Sequence, residues 1–310
     1  MIVAAGLGLT EFPFSGPRAF WRWVDLCEAG GVDSLWQSDR LVSRIPMLEC
    51  MSLMAALAGR TRRLKFGMNV VAVGLREPLL LARQCATIDL LSEGRLLPGY
   101  GVGSPHSPDW DALGVPSAGR GRRADEALEI LSRLLAGERL TFEGEFFTCR
   151  DAWLDPRPVQ SNLPFWFGGS GRKSVERTAR LGSGWIGGRE TPPEAAAVVT
   201  RIQSAAAALG RRIPDDHFGA SFFYRFGSGE DPVVARHLES AARRTPGRDP
   251  RDNLVVGDAA AMQARIAEYV AGGVTKFVLR PLGADDDDVM AQTRLFVERL
   301  LPEIHAMNRR

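Results

Sequence analysis

The chain has 310 residues, a net charge of +2, and the apolar (45%) and charged (25%) fractions of a globular protein. This near-neutral balance gives no electrostatic basis for binding nucleic acid or an anionic membrane. No apolar run is long enough to span a bilayer, and the apolar start lacks the basic flank of a signal peptide. The four cysteines form no Cys-x-x-Cys pair, which argues against a zinc site or a disulfide framework. We therefore expect a cytoplasmic protein, in a reducing compartment, without a metal.

Apolar, strand-like runs alternate with helical patterns along the whole chain. The predicted units, strand first, are 2–9 with 17–29, 34–38 with 48–58, 64–71 with 78–91, 96–102 with 122–136, 165–167 with 174–181, 184–187 with 192–209, 220–226 with 233–242 and 259–271, and 276–280 with 289–306. Strands that are apolar on both faces and joined by helices form parallel sheets. Eight units in this length predict an α/β fold of the (β/α)8 TIM-barrel type, as one domain over 1–310. A doubly wound open sheet is the alternative, but its glycine-rich turn would follow the first strand.

Three segments interrupt this alternation and are predicted as insertions, after the fourth and seventh strands. Residues 104–119 and 243–253 have the composition of loops, and 141–162 is predicted to contain a hairpin around Glu143-Gly144. Because loops carry specificity in a barrel, we expect 104–119 and 243–253 to shape a substrate pocket.

Residues 164–173 combine a short aromatic strand, a glycine turn and the start of a helix. Glycines let backbone N–H groups approach a ligand closely, and a helix N-terminus carries unpaired donors that favour phosphate. Arg172 and Lys173 add formal positive charge beside the turn. The segment predicts a phosphate site, with an ordinary strand-to-helix turn as the alternative.

Active sites of TIM barrels lie at the carboxyl ends of the strands, where polar residues follow each predicted strand. They are 37–40, Asn69, Arg76, Glu77, 103–106, 168–173, 187–189, Arg225, Ser228 and Arg280. His106 is the best general acid or base, with an exposed loop histidine as the alternative, and His237 resembles a surface or strand-edge residue. Asp39 and Arg40 could equally form a structural ion pair. So few proton-transfer groups indicate an enzyme whose cofactor performs the difficult chemistry.

Several segments, in their order and spacing, resemble the bacterial luciferase-like superfamily of FMN-dependent monooxygenases and F420-dependent oxidoreductases. They are 35–40, 76–82, 120–131, 142–147, 164–171, 179–186 and, most characteristic, Thr87-Ile88-Asp89-Leu90-Leu91-Ser92-Glu93-Gly94-Arg95-Leu96 running to Gly101-Val102-Gly103.

The resemblance implies that a flavin or deazaflavin binds at the carboxyl ends of the strands. Its phosphate would lie on Gly168, Gly169, Ser170 and Gly171, with Gly187 and Gly188 nearby. Its ring would lie near Ala72 and Val73, where members commonly have a non-prolyl cis peptide, and would approach the backbone at Gly101 and Gly103. The polar groups expected to act on the ring or substrate are Asp39, Arg40, Asn69 and, as an acid, His106.

F420-using relatives usually carry Ser-Asp-His at the second strand, where this chain has Ser38-Asp39-Arg40. Because arginine cannot cycle a proton near neutral pH, this departure favours an FMN-dependent monooxygenase. Such an enzyme takes reduced FMN from a partner reductase and oxidises a small organic substrate with O2. An F420-dependent hydride-transfer enzyme and a non-catalytic flavin-binding barrel are the alternatives. Relatives also lead us to expect a homodimer.

Overall fold

The computed structural model describes residues 2–309, which alternate between strands and helices. The strands are β1 (Ala4–Leu9), β2 (Ser34–Gln37), β3 (Lys65–Met68), β4 (Val71–Ala72), β5 (Leu96–Leu97), β6 (Gly99–Gly101), β7 (Leu140–Glu143), β8 (Thr148–Ala152), β9 (Trp166–Gly168), β10 (Gly184–Ile186), β11 (Phe218–Phe226), β12 (Leu254–Gly257) and β13 (Lys276–Pro281). The helices are α1 (Pro17–Ala29), α2 (Cys50–Arg60), α3 (Pro78–Leu91), α4 (Pro108–Ala112), α5 (Arg120–Leu135), α6 (Arg172–Leu181), α7 (Pro192–Ala208), α8 (Pro232–Arg244), α9 (Ala259–Ala271), α10 (Asp286–Leu295) and α11 (Leu301–Met307).

The large sheet is parallel at every described pairing and curls around an axis. Its pairings run β1–β2–β3–β5 on one side and β4–β6–β9–β10–β11–β13 on the other, and β13 pairs with β1. β3 with β4, and β5 with β6, are the third and fourth predicted strands, interrupted at residues 69–70 and at Pro98. The expected α/β fold with a curled parallel sheet is therefore confirmed. We call the face where the strands end at their carboxyl termini the mouth.

The helices cover the sheet with the apolar faces that their sequence periodicity predicts. The apolar stripe of α5 is buried throughout its length, at Ala124, Ala127, Leu128, Leu131, Leu134 and Leu135. Such i, i+3, i+4 spacing places apolar side chains on one side of a helix, so burial of that side directs the helix onto the sheet. All four cysteines are buried and free, and no helix within residues 2–309 has the length and apolarity to cross a bilayer.

The structure differs from the sequence prediction at several connecting segments. The predicted hairpin is present as the antiparallel pair β7–β8, but 104–119 contains the helix α4 and is not all loop. Residues 243–253 begin inside α8 and end in a 3-10 helix, Pro250–Asn253, that Asp249 caps. The terminal helix is not continuous, because a π-helical segment, Phe296–Leu300, precedes Pro302, which has no N–H to donate. Whether the three segments are insertions stays a prediction.

Candidate active site

The interruption of the third strand lies among the residues expected near a cofactor ring. The Asn69–Val70 peptide bond is cis and non-prolyl, just before the expected position at Ala72. A Cβ atom at Gly101 would lie 2.6 Å from a methyl carbon of Val70, and one at Gly168 would lie 3.2 Å from it. The packing of Val70 therefore requires glycine at 101 and favours it at 168, a reason that the sequence did not indicate.

Asp39 joins the end of β2 to the turn that follows β4. Its carboxylate accepts hydrogen bonds from the Ala72 amide at 3.3 Å and from Nη2 of Arg76 at 2.7 Å. The Asp39 side chain is only 4% exposed, and Arg76 also pairs with Glu49 at 3.0 Å. Burial raises the pKa of Asp39, although the facing Arg76 guanidinium opposes that rise. The ion pair weighed between Asp39 and Arg40 is therefore wrong: the partner of Asp39 is Arg76.

Asn69 reaches across the inside of the curled sheet. Its side-chain amide donates to the hydroxyl oxygen of Ser221, on β11, at 3.3 Å. Ser221 is buried, so the pair lies in the interior below the mouth. Val73 is also buried, whereas Ala72 and Gly103 are partly exposed and adjacent, with a Cβ at Gly103 only 3.3 Å from that of Ala72.

The expected phosphate position lies where β9 gives way to α6. Gly169 has φ +90°, and its carbonyl accepts from the indole N–H of Trp185 at 2.9 Å. Within residues 2–309, the amides of Ser170, Gly171, Arg172 and Lys173 have no acceptor. Gly171 is exposed, and a Cβ there would meet no atom within 4 Å, so no described residue packs against the corner at Gly171. The four N–H groups and the helix N-terminus fit a phosphate.

The positive side chains beside this corner contribute less to anion binding than the sequence suggests. Arg172 pairs with Glu176 at 2.5 Å, and Lys173 pairs with the same carboxylate at 2.9 Å. All three side chains are exposed to solvent, so their charges are largely balanced and screened. The backbone amides are therefore the main attraction for an anion here.

In the neighbouring turn after β10, the backbone amides already donate hydrogen bonds. The N–H groups of Gly188 and Arg189 donate to a carboxylate oxygen of Glu190 at 3.0 and 3.1 Å. A Cβ at Gly187 would lie 2.7 Å from the Trp185 ring and 2.9 Å from that same oxygen. A phosphate at this turn would have to displace Glu190, whereas the α6 corner is open.

The other half of the mouth contains a cavity that we call the arginine cavity. It has a volume of ≈ 140 Å³ and lies among the ends of β1, β11 and β13, helix α8 and the segment 245–253. Its wall includes Phe223, His237 and five arginines: Arg40, Arg189, Arg244, Arg248 and Arg280. A second cavity, of ≈ 220 Å³, adjoins it and shares Phe223, His237, Arg244 and Arg280.

Arg280 is the most enclosed of these arginines. The residue is 9% exposed, and its guanidinium lies over the ring of Phe223, 5.3 Å from the centroid. Burial and the charge of Arg189 lower the pKa of Arg280 to about 10, so it remains a cation at neutral pH. No carboxylate among residues 2–309 lies within ion-pair distance of it.

The histidines lie differently from what the sequence suggested. His106 is exposed, and its main-chain amide donates to the Ser104 hydroxyl at 3.3 Å. His237, interpreted from the sequence as a surface or strand-edge residue, is on α8 and lines the arginine cavity, with its ring 4.3 Å from that of Phe223. Burial, Arg244 and Arg280 lower the pKa of His237 to about 4, so its imidazole is neutral near pH 7.

Sequence reasoning missed the importance of His237 because it follows no strand. It lies within helix α8, where neither the helical periodicity nor the spacing to other polar residues marks it as a site residue. Arg189 and Arg280 were recognised as strand-end residues, but nothing in the sequence joined them to Arg244.

The segment 104–119 contains two buried side chains, and one of them, Asp109, bonds to a residue outside the segment. The Trp110 indole donates to the Ser104 carbonyl at 2.8 Å, and Asp109 accepts from the Val42 amide at 2.7 Å. The Trp110 bond lies within the segment, and the Asp109 bond holds the segment beside the chain that follows β2.

Comparison with known proteins identifies the family. The family model described as luciferase-like monooxygenase matches residues 4–239, so the chain belongs to the luciferase-like monooxygenase family. The resemblance seen in the sequence is therefore confirmed.

Of three similar proteins, one is named with F420 and one with FMN. An uncharacterised protein of Mycobacterium tuberculosis is 35% identical over 170 residues, 54% of this chain, and the chain spans 58% of that relative's length. The F420-dependent glucose-6-phosphate dehydrogenase of Microbacterium testaceum is 26% identical over 331 residues, 93% of this chain and 94% of that protein. The oxygenating constituent of 3,6-diketocamphane monooxygenase from Pseudomonas putida, solved with FMN, has a TM-score of 0.80 at 17% identity, covering 98% and 99% of the two chains. The last likeness shows the shared fold.

Proposed function

We propose that this chain is a flavin-dependent oxidoreductase that works as an FMN-dependent monooxygenase. It would take reduced FMN from a partner reductase and oxidise a small organic substrate, and the bound flavin would supply the electrons that activate O2. The observation that carries the proposal is the α6 corner, where four consecutive backbone amides have no acceptor among residues 2–309 and no described residue packs against Gly171. Such a corner suits the phosphate of a ring-bearing cofactor.

The residues of the chain would hold and orient the cofactor and keep water away. The phosphate would bind at Gly168, Gly169, Ser170 and Gly171, with Gly187 and Gly188 beside it once Glu190 is displaced. The ring would lie against Ala72 and Val73, near Gly101 and Gly103. Asp39, by holding the Ala72 amide, would position that backbone, and the segment 104–119 would exclude water.

The polar side chains proposed to act on the reaction are Asp39, Arg40, Asn69 and His106. Arg40 lines the arginine cavity, and Asn69 points into the interior towards Ser221. His106, on the exposed side of its segment, would act as an acid only towards a substrate held at the rim of the mouth.

We further propose that the eight strand–helix units form one (β/α)8 barrel domain over 1–310, which acts in the cytoplasm as a homodimer. The continuous series of parallel pairings from β1 round to β13 supports the barrel.

F420-dependent hydride transfer is the second candidate, and one observation favours it. His237 is a neutral imidazole in the mouth, and hydride transfer to or from a carbonyl needs a group that can exchange a proton. The relative from Microbacterium testaceum, similar over nearly the whole chain, is named as F420-dependent.

A substitution at Gly171 tests the phosphate position. Gly171 precedes α6 with φ −69°, which any residue adopts, and a Cβ there meets no atom within 4 Å. In Gly171→Asp the carboxylate would accept from the free amides and repel a phosphate, so we expect FMN affinity to fall by about tenfold or more. Gly16→Asp, the same change at the start of α1 with equally open space, is the matched control.

Titrations with FMN, riboflavin and F420, followed by fluorescence, separate the candidates. The proposal expects wild type to bind FMN, and Gly171→Asp to lose FMN affinity while keeping its riboflavin affinity. Tight F420 binding without FMN binding would replace it with the second candidate. Equal loss of FMN and riboflavin affinity would show that the phosphate lies elsewhere. Binding of FMN without product from any substrate panel would favour a non-catalytic barrel.

A further inference from the structure

The arginine cavity holds positive charge that the described chain does not neutralise. Arg40, Arg244 and Arg280 have no carboxylate within ion-pair distance among residues 2–309, and the wall offers only the carboxylates of Asp249 and Asp252. Asp249 is already used, since it accepts from the amide of Arg251 at 2.9 Å. A concave site with this balance attracts and concentrates anions.

The burial of Arg280 is the main reason to expect an anionic ligand in this cavity. A cation removed from water is costly unless a counter-charge or hydrogen bonds replace its hydration. Arg280 is 9% exposed, and its guanidinium has no hydrogen-bond acceptor among residues 2–309. Its planar guanidinium offers a fork of donors that matches the two oxygens of a carboxylate, sulfonate or phosphate. A ligand with one of these anionic groups would therefore supply the negative charge that Arg280 lacks.

We propose that the arginine cavity binds the oxyanion group of the organic substrate, with Arg280 and Arg244 as its principal ligands. The inference rests on the proposed function, because it names the substrate class of the same mouth. Phe223 and Ile45 give the cavity an apolar wall, which suits a substrate with a hydrocarbon or aromatic body attached to the anion. A volume of ≈ 140 Å³ accommodates a small organic group.

The oxyanion site is distinct from the proposed phosphate position of the cofactor. That position lies at the start of α6, after β9, whereas the arginine cavity lies among β1, β11, β13 and α8. The two halves of the mouth meet at Arg189, which directly follows Gly188 and lines the cavity. A substrate anchored by its anion would therefore extend from the cavity towards the half where the ring is expected.

Calorimetric titration of the cofactor-free protein tests this assignment. The probes are phenyl phosphate, benzenesulfonate and benzoate, with benzamide as a neutral analogue of similar size, in a buffer whose only other anion is chloride. We expect at least one anion to bind and benzamide not to bind. Arg280→Met and Arg244→Gln should each weaken binding by about tenfold or more, because each removes a charged partner from an enclosed site.

Arg243→Gln is the matched control, because Arg243 neighbours Arg244 on α8 but is 72% exposed and pairs with Glu239. It should leave the anion affinity unchanged. Binding of none of the three anions, equal binding of benzamide, or unchanged affinity in both Arg280→Met and Arg244→Gln would overturn the inference.

FMN and riboflavin titrations of the same variants distinguish the source of the oxyanion. The inference expects wild-type FMN affinity in Arg280→Met. If that variant loses affinity for FMN and not for riboflavin, the cavity holds the phosphate of the cofactor and the substrate assignment is wrong. If wild type binds the anions but neither FMN nor F420, the proposed cofactor fails while the oxyanion site stands.

Discussion

Replacement of Arg280 by methionine should stabilise the protein, unlike most substitutions of buried residues. Burial and the charge of Arg189 lower the pKa of Arg280 from 12.5 to about 10. At 1.36 kcal/mol per pKa unit, the folded protein loses about 3 kcal/mol by keeping this side chain charged. Methionine retains part of the apolar stem and removes the charge, together with the contact of the guanidinium with the Phe223 ring. We expect the free energy of unfolding to rise by roughly 1–3 kcal/mol.

The pH dependence of this gain follows from the direction of the shift. Because the folded-state pKa of Arg280 lies below its unfolded-state value, the charge costs stability at every pH below about 10. The cost fades only as pH rises from there towards the unfolded-state value. The gain in Arg280→Met should therefore be constant across the neutral range.

Arg225→Met is the control, and it should change the free energy of unfolding in the opposite direction. Arg225, on β11, is 13% exposed at its side chain and pairs with Asp231 at 2.8 Å and with Asp288 at 2.7 Å. The same substitution there leaves two carboxylates without their partner, so we expect the free energy of unfolding to fall by about 3 kcal/mol.

Urea unfolding followed by tryptophan fluorescence measures both effects, in a buffer free of phosphate, sulfate and carboxylates, which would bind and stabilise wild type selectively. A loss of stability in Arg280→Met similar to that in Arg225→Met would refute the reasoning, because it would mean that the charge of Arg280 is compensated in the folded protein.

Two further predictions concern titratable groups of the mouth. Burial raises the pKa of Asp39, so its charge costs stability at neutral pH, and Asn keeps an oxygen for the Ala72 amide while Arg76 keeps Glu49; we therefore expect Asp39→Asn to leave the free energy of unfolding in urea unchanged or to raise it by up to about 1 kcal/mol, and a loss would show that Arg76 outweighs burial. His237, held neutral by burial, Arg244 and Arg280, has a folded-state pKa of about 4, below its unfolded-state value of 6.5. Stability should therefore fall by about 1–2 kcal/mol as pH falls from 6.5 to 4, after allowance for solvent screening, and His237→Gln should abolish that part of the slope.

The local sequence pattern was sufficient to predict most of the helices and strands. The stripe of α5 and the hairpin around Glu143-Gly144 depend on residues within one or two turns of each other, so the sequence predicts them directly. The glycine turn before α6 is similar, because the backbone conformation of Gly169 and the start of a helix are both local properties. These features, with the family resemblance, located one half of the mouth.

The tertiary structure decides which charged residues far apart in the chain lie next to one another. Asp39 adjoins Arg40 in sequence, yet its carboxylate lies against Arg76, because consecutive residues at a strand end point in different directions while neighbouring strands bring their ends together. For the same reason the sequence predicts Arg189 and Arg280 as separate strand-end residues and does not indicate that they share a cavity with His237.

The amino-acid sequence by itself determined the alternation of strands and helices, the glycine turn and the membership of a family, because each depends on short-range periodicity or on ordered motifs. Only the tertiary structure decided which charges face one another and which remain without a counter-charge. That balance is set by distances and burial between residues far apart in the chain, and spacing along the chain does not encode it.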